Sequence, residues 1–136
     1  MTIVADASAV ASFLIPDEAD AFSAFARERC AIETVYVPAH WPVELANIVW
    51  KANRRKRIEP ADYSEVLRAA DDFRRVVIVQ EEVDISALVE TALRTGLTAY
   101  DTAYLMLAER LHVRLLTRDV ALARAATEAG VTVLAP

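Results

Sequence analysis

Ile3-Val4-Ala5-Asp6 is the stretch that decides the fold, because three apolar residues are followed at once by a carboxylate. A short, fully apolar run predicts a strand that is buried on both faces. The next segment is rich in Ala, Ser and Val and extends to Leu14, and Pro16 closes it. Asp6 is therefore expected at the carboxyl end of a buried first strand.

Similar apolar runs predict four further strands, at residues 35–37, 76–79, 113–116 and 131–134. Helical patterns lie between them, at 17–29, after Pro42, after Pro60, and at 85–93, 100–111 and 120–129. Short strands that alternate with helices favour right-handed crossovers and a mostly parallel sheet. With 136 residues, 55% of them hydrophobic, the chain fits one α/β domain over residues 1–136.

Composition disfavours several classes of protein. The single Cys30 excludes an internal disulfide framework and a cysteine-rich metal site. The N-terminus lacks a basic region and no apolar run approaches bilayer-spanning length, so we expect no signal peptide, no membrane segment and a cytoplasmic location. The net charge of −5 argues against unspecific adhesion to nucleic acid, which is driven by Lys and Arg.

Four carboxylates that are distant in sequence are expected at one edge of the sheet. Asp6, Glu44 and Asp119 follow the first, second and fourth predicted strands. Parallel strands place their carboxyl ends at a common edge, where ligands bind. Asp101 instead begins a helix that is reached from Gly96, so its position does not follow from a strand.

Each acid alone also fits a structural role, because a carboxylate in the first turn of a helix is stabilised by roughly 0.3–1 kcal/mol. Thr98 and Asp101 even have the spacing of a capping box. Two acids ~4 Å apart, however, repel by on the order of 4 kcal/mol at the effective dielectric of a protein surface. A cluster of all four therefore indicates a cation. All-carboxylate ligands favour Mg²⁺ or Mn²⁺, which suits phosphodiester hydrolysis.

Polar residues near the acids extend this candidate site. Thr117 and Asp119 lie two residues apart on an extended segment, so both can face one centre, although a strand end and a helix cap fit equally. Two further residues are placed to support acids: Ser8 beside Asp6, and Asn47 on the same helical face as Glu44.

A basic cluster departs from the acidic average of the chain. It consists of Lys51, Arg54, Arg55, Lys56 and Arg57. These cations fit the C-terminus of a helix, where the macrodipole favours positive charge. They equally fit a surface for the phosphate backbone of RNA beside the acidic centre.

The sequence lacks the glycine-containing motifs of several other phosphate-binding and hydrolytic enzymes. With only Gly96 and Gly130, the chain has no P-loop, no dinucleotide-binding fingerprint and no nucleophile elbow, so a phosphate site must depend on a metal. His40 and His112 leave open a metal-free ribonuclease, which is disfavoured because His112 precedes the fourth strand.

Two alternatives from other classes remain. A phosphotransferase would use Asp6 as a covalent nucleophile, but no second acid lies two residues further on and no lysine follows a later strand. A non-catalytic binding or signalling module would use the acids only as helix caps.

Four segments, taken in order, resemble the PIN-domain nucleases: Ile3-Val4-Ala5-Asp6-Ala7-Ser8, Glu44 with Asn47, Tyr100-Asp101-Thr102-Ala103-Tyr104-Leu105, and Leu116-Thr117-Arg118-Asp119. The likeness spans essentially the whole chain, and its length is similar to that of the VapC toxins of bacterial toxin–antitoxin pairs. No acidic position departs from the family pattern.

The resemblance implies a three-layer α/β/α sandwich with a five-stranded parallel sheet in the order 3-2-1-4-5. It also implies a Mg²⁺- or Mn²⁺-dependent endoribonuclease in which Asp6, Glu44, Asp101 and Asp119 form the acidic centre and Thr117 assists. The implied substrate is structured RNA, such as tRNA or ribosomal RNA. The implied partners are a second copy of the chain and a cognate antitoxin whose tail packs into an apolar groove.

Overall fold

A computed structural model of the protein describes residues 1–136, along which seven helices and four strands alternate. The elements are β1 (Thr2–Ala5), α1 (Ala7–Leu14), α2 (Ala21–Ile32), β2 (Thr34–Pro38), α3 (Trp41–Arg54), α4 (Tyr63–Val76), β3 (Ile78–Gln80), α5 (Ile85–Thr95), α6 (Ala99–Leu111), β4 (Arg114–Leu116) and α7 (Val120–Glu128). None of the helices is both long enough and apolar enough to cross a lipid bilayer.

The strands form one parallel sheet in the order β3-β2-β1-β4. The central strand β1 pairs with both of its neighbours, and Val4 lies opposite Tyr36 on one side and Leu115 on the other. All three residues of the run Ile3-Val4-Ala5 are fully buried. Because successive side chains in a strand face opposite sides, helices must cover both faces of the sheet.

The prediction of a fifth strand is wrong. Residues 131–134 form only a single parallel bridge, between Val133 and Leu115. Val131 donates its N–H to Ala126 O at 2.8 Å, so it completes the end of α7 instead of pairing with β4. Only two ladder hydrogen bonds remain, both to the backbone of Leu115. The predicted order of the other four strands is confirmed.

The helices pack in two groups. Helix α1 contacts α2, α3 and α4, whereas α6 contacts α5, α7 and the strands β1, β2 and β4. One cluster of 28 buried apolar residues runs between these layers and includes Trp41, Ile15 and Leu122. The layers are therefore helix, sheet and helix.

Local signals set the helix boundaries. The helix predicted from residue 17 begins only at Ala21, because Pro16–Glu18 forms a single 3-10 turn and Asp20 caps α2 in a capping box with Ser23. Gly96 ends α5 in the left-handed region at φ 75°, which glycine adopts without steric cost. The reversal after Gly96 starts α6 at the site edge of the sheet.

Candidate active site

Asp6 lies directly after β1 and caps α1. Its side chain is held by three neighbours: Oδ1 accepts the Ala9 N–H at 2.8 Å, and Ser8 Oγ donates to the same atom at 2.8 Å. Thr117 Oγ1, from the end of β4, donates to Oδ2 at 2.5 Å. Asp6 is only 3% exposed, so its carboxylate is fixed at the junction of β1 and β4.

Thr117 links two of the acids. Its Oγ1 donates to Asp6 and accepts the N–H of Asp119 at 3.0 Å. Asp119 in turn caps α7, where Oδ1 accepts the Leu122 N–H at 2.7 Å. The turn after β4 therefore carries a hydroxyl and a carboxylate to the same edge as Asp6.

Arg118 tethers this turn to the start of α2. Its guanidinium forms ion pairs with Asp20 and, at 3.9 Å, with Glu18. The guanidinium also lies 5.4 Å from the ring centroid of Phe22. These contacts of Arg118 hold the Thr117–Asp119 turn against the start of α2.

Glu44 is positioned in the first turn of α3 by two aromatic neighbours. Tyr104, which is fully buried in α6, donates its hydroxyl to Glu44 Oε1 at 3.1 Å and accepts the Ala7 N–H at 3.3 Å. His40 Nε2 lies 3.6 Å from Glu44 Oε2, and its ring packs edge-on against Tyr104. The hydroxyl of Tyr104 therefore connects α1, α3 and α6 at the site.

Asp101 reaches the site through the first turn of α6. Thr98 caps this helix and accepts the Asp101 N–H at 3.2 Å. Asp101 lies three residues before Tyr104, so both side chains share one face of the helix. The helix start brings the fourth acid to the same edge without a preceding strand.

Burial and mutual repulsion raise the pKa of three of these acids. Burial, the largest cause, raises the pKa of Asp6 to about 6, against the hydrogen bonds from Thr117, Ala9 and Ser8, and the charge of Asp101 adds to the rise. Burial and, in smaller part, the charges of Asp6 and Asp101 raise the pKa of Glu44 to about 7.

The pKa of Asp101 is also raised, first by burial and then by the charge of Asp119. These couplings form a connected set, because Asp101 acts on Asp6 and Glu44 and is itself acted on by Asp119. The four acids of the sequence prediction therefore lie within electrostatic range of one another at one edge of the sheet.

The chain supplies no permanent positive charge to this cluster. None of the four acids pairs with Lys or Arg, and the one basic side chain beside Glu44 is His40, whose pKa is lowered by burial. Some acids elsewhere are compensated by arginine: Asp17 pairs with Arg57, and Glu33 with Arg114. An uncompensated set of carboxylate oxygens fits a hard divalent cation.

The acids do not form a closed ion-binding group. With the side chains as they stand, no three His, Cys, Asp or Glu residues converge closely enough to enclose an ion. Asp6 is turned toward Ser8, Ala9 and Thr117, and Glu44 toward Tyr104, so these two carboxylates accept hydrogen bonds from neighbouring donors.

The helix-cap interpretation is correct for Asp6 and Asp119, which are both N-caps. It does not explain the cluster, because burial of Asp6 opposes its ionisation at neutral pH. Ordinary caps on this chain are exposed, as Asp84 is at the start of α5.

The remaining predicted residues differ in their surroundings. Asn47 is exposed and its side chain makes no hydrogen bond. All five members of the basic cluster are exposed, but Arg57 is held by Asp17 in two hydrogen bonds of 2.9 Å. Arg54 lies 5.2 Å from the ring of Trp50 and about 15 Å from Glu44 along α3, given the rise per residue.

Sequence analysis missed the roles of His40 and Tyr104. Tyr104 belongs to the Tyr100–Leu105 motif, in which no role was assigned to this tyrosine. Its spacing of three residues from Asp101 is the signal that places it at the site. His40 lies four residues before Glu44, which is the spacing of neighbours on a helix. Neither spacing identifies a hydrogen bond to a residue 60 positions away.

Comparison with known proteins identifies the family of this chain. The family model of the PIN domain matches residues 3–128. The chain belongs to the PIN-domain family.

Similar proteins carry VapC names. The chain is 32% identical over 125 residues to Ribonuclease VapC3 of Pyrobaculum aerophilum, covering 90% of this chain and 93% of that one. It is 34% identical over 122 residues to Ribonuclease VapC9 of Mycobacterium tuberculosis, covering 88% and 87%. The crystal structure of PAE2754 from Pyrobaculum aerophilum has the same fold, with a TM-score of 0.75 at 22% identity over 98% of this chain and 89% of that one.

Proposed function

We propose that this protein is a VapC-type endoribonuclease toxin that hydrolyses phosphodiester bonds of structured RNA, such as tRNA or ribosomal RNA, with Mg²⁺ or Mn²⁺. The observation that carries the proposal is the set of four acids from β1, α3, α6 and α7 at one sheet edge, without a Lys or Arg partner. The ribonuclease names of relatives over most of the chain support it.

Asp6, Asp101 and Asp119, together with Glu44, are the residues that would hold the ion. When bound, a divalent ion supplies a Lewis acid that polarises the phosphate and makes its water more acidic. Thr117 fixes the orientation of Asp6 through the 2.5 Å hydrogen bond.

Glu44 is suited to receive the proton of the attacking water. Its pKa is raised to about 7, so at neutral pH it exists in both protonation states, and its side chain is 28% exposed and accessible to water. Tyr104 holds Oε1 by a hydrogen bond, whereas Oε2, 3.6 Å from His40 Nε2, is the oxygen that would accept the proton. In-line attack by water gives a 5′-phosphate and a 3′-hydroxyl.

RNA needs a positive surface near an otherwise acidic site. Lys51, Arg54, Arg55 and Lys56 form no ion pair and extend along the end of α3. They are the candidate contacts to the phosphate backbone, whereas Arg57 is already engaged by Asp17 and Glu18.

Two protein partners belong to this proposal: a cognate antitoxin and a second copy of the chain. A groove of about 320 Å³ lies between α3 and α4 and is lined by Val49, Trp50 and Leu67. It is the candidate binding site for an apolar segment of the antitoxin. Ile85 and Leu93 on α5, 74% and 80% exposed, support a homodimer through that helix.

A phosphotransferase that uses Asp6 is not supported. Asp6 is 3% exposed, and the two lysines of the chain, Lys51 and Lys56, lie at or just beyond the end of α3 and not after a later strand, where they could hold a phosphoryl group.

Incubation of the purified protein with total RNA tests the proposal. We expect defined cleavage products with Mg²⁺ or Mn²⁺ and none with chelator, and 3′-hydroxyl ends at the cut. The variants Asp6→Asn and Asp101→Asn should be inactive, whereas Glu128→Gln, an exposed acid at the end of α7, should cleave normally. Equal cleavage by all three variants would point to a contaminating nuclease and overturn the proposal.

A further inference from the structure

A cavity of about 450 Å³ adjoins the acidic cluster. It lies between the ends of β2 and β3, the start of α5 and one face of α6. Its interior is apolar and includes Pro38, Leu88 and Leu107. A concave apolar site with a few polar groups at its margin is typical of a ligand pocket.

The cavity shares one wall with the candidate active site. His40 lines the cavity and also lies 3.6 Å from Glu44 Oε2. Tyr100 lines it as well and directly precedes Asp101. A group bound in the cavity would therefore share His40 as a neighbour with Glu44 of the acidic cluster.

Tyr100 presents an aromatic face to solvent at this boundary. The side chain is 65% exposed although it begins a helix that is otherwise well packed. Its ring centroid lies 5.5 Å from that of His40, so the two rings form an aromatic margin. Unstacked bases of single-stranded RNA bind to such faces by stacking.

The polar groups of the cavity favour a neutral ligand that donates hydrogen bonds. Arg110 donates to Gln80 Oε1 and to Glu82 Oε2, both at 3.3 Å, so its charge is already engaged. Glu82 and Asp84 add two carboxylates to this one cation. A negatively charged lining repels a further phosphate or an acidic peptide, and its oxygens accept from amino groups.

We propose that this cavity binds one unstacked RNA base carrying an exocyclic amino group, next to the scissile phosphate. The base stacks on Tyr100, and its amino group donates to Glu82 or Asp84 in the lining. Adenine, cytosine and guanine meet this requirement, whereas uracil lacks an exocyclic amino donor. The inference rests on the proposed ribonuclease function and adds to it a determinant of sequence preference.

Cleavage of four short RNA hairpins that differ only at the loop nucleotide flanking the cut tests this role. The wild type should cleave the uracil substrate least efficiently. Tyr100→Ala should lower kcat/KM for the amino-bearing substrates about tenfold, chiefly through KM, and remove the preference. Tyr100→Phe, which keeps the ring, should behave as wild type. Cleavage with equal preference in wild type and Tyr100→Ala would overturn the proposal.

A binding measurement separates failure of the pocket from failure of the nuclease. Adenosine, cytidine and uridine are titrated to millimolar concentration while the backbone amides of Ala87 and Ala103, which line the cavity, are followed by NMR. Adenosine and cytidine should shift these amides more than uridine, whether or not the protein cleaves RNA. No shift with any nucleoside would overturn the proposal. So would shifts of the same amides on dilution without nucleoside, because a second copy of the chain would then occupy the cavity.

Discussion

Tyr104 donates a hydrogen bond of 3.1 Å to Glu44 across 60 residues of sequence, and its hydroxyl accepts the Ala7 N–H from a third helix. This one buried atom therefore sets the distance between α1, α3 and α6 at the acidic edge. Removing it should disturb the position of Glu44 without leaving a large cavity, since the ring can remain.

Tyr104→Phe should lower stability by about 1–3 kcal/mol, because a buried N–H loses its acceptor. The Tyr104 hydrogen bond lowers the pKa of Glu44, so its loss should raise that pKa further. The acidic limb of the pH–rate profile should then move to higher pH and kcat should fall about tenfold. Urea unfolding and cleavage kinetics measure these effects. An unmoved acidic limb would show that Tyr104 has only a packing role.

Asp6→Asn should abolish cleavage while the metal-free fold survives. The amide oxygen can still accept the Ala9 N–H, and its NH₂ group can donate to Thr117 Oγ1. We expect a loss of activity of at least about 100-fold and an unchanged or raised Tm in the presence of chelator. Strong unfolding of this variant would mean that the carboxylate acts chiefly as a structural cap.

The stability of the metal-free protein should depend on pH through Asp6. The folded-state pKa of about 6 is above the ordinary value of 3.8, so the folded state binds the proton more tightly. This stabilising effect is complete below about pH 4 and is lost as the pH rises through about 6. The difference in unfolding free energy between Asp6→Asn and wild type should therefore grow from pH 5 to pH 7.5, by about 1.4 kcal/mol.

The lowered pKa of His40 makes the unfolding free energy rise with pH, which is the opposite of the effect of Asp6. This contribution is present in both wild type and Asp6→Asn, so it cancels when the two are compared at the same pH. Chemical denaturation in chelator at both pH values provides the measurement. A difference that shrinks as the pH rises would contradict the raised pKa of Asp6.

Mn²⁺ should raise the Tm of the wild type, because an ion that binds the folded state alone stabilises it by mass action. It should also reverse the destabilisation at pH 7.5, since it compensates the ionised acids. Asp101→Asn should reduce the shift, and Glu128→Gln should retain it. A thermal shift that is equal in all three proteins would indicate unspecific binding of the ion.

Substitution of the free cations in the basic cluster should weaken RNA binding. Lys51→Ala with Arg55→Ala should raise KM and reduce the slope of log KM against log salt concentration, because fewer counterions are released. Arg57→Ala should have a smaller effect, since Asp17 and Glu18 already engage this guanidinium. Equal effects of the two changes would argue for a different RNA path.

The acidic edge could be predicted because it depends on rules that act locally. Apolar runs identify β1, β2 and β4, and a parallel sheet brings the residues after them together, which places Asp6 and Thr117 in contact. The start of α6 could also be predicted, because Thr98 has the position of its N-cap residue. These signals lie within a few residues of the features that they predict.

Features that depend on competition between groups distant in sequence could not be predicted from local patterns. Residues 131–134 have a strand-like pattern, but Val131 is used to complete α7, so the pairing with β4 shrinks to one bridge. The hydroxyl of Tyr104 finds partners 60 and 97 residues away, which its spacing of three residues from Asp101 does not identify. The orientation of uncompensated acids likewise depends on which donors lie nearby in space.

Arg118 is the one residue between Thr117 and Asp119, and its guanidinium is anchored on Asp20 and on the ring of Phe22. The acidic edge is consequently braced from the periphery of the molecule. Displacement of α2 would break these contacts and let Thr117 and Asp119 move relative to each other. Contacts on the surface of α2 therefore help to determine the geometry of the acidic edge.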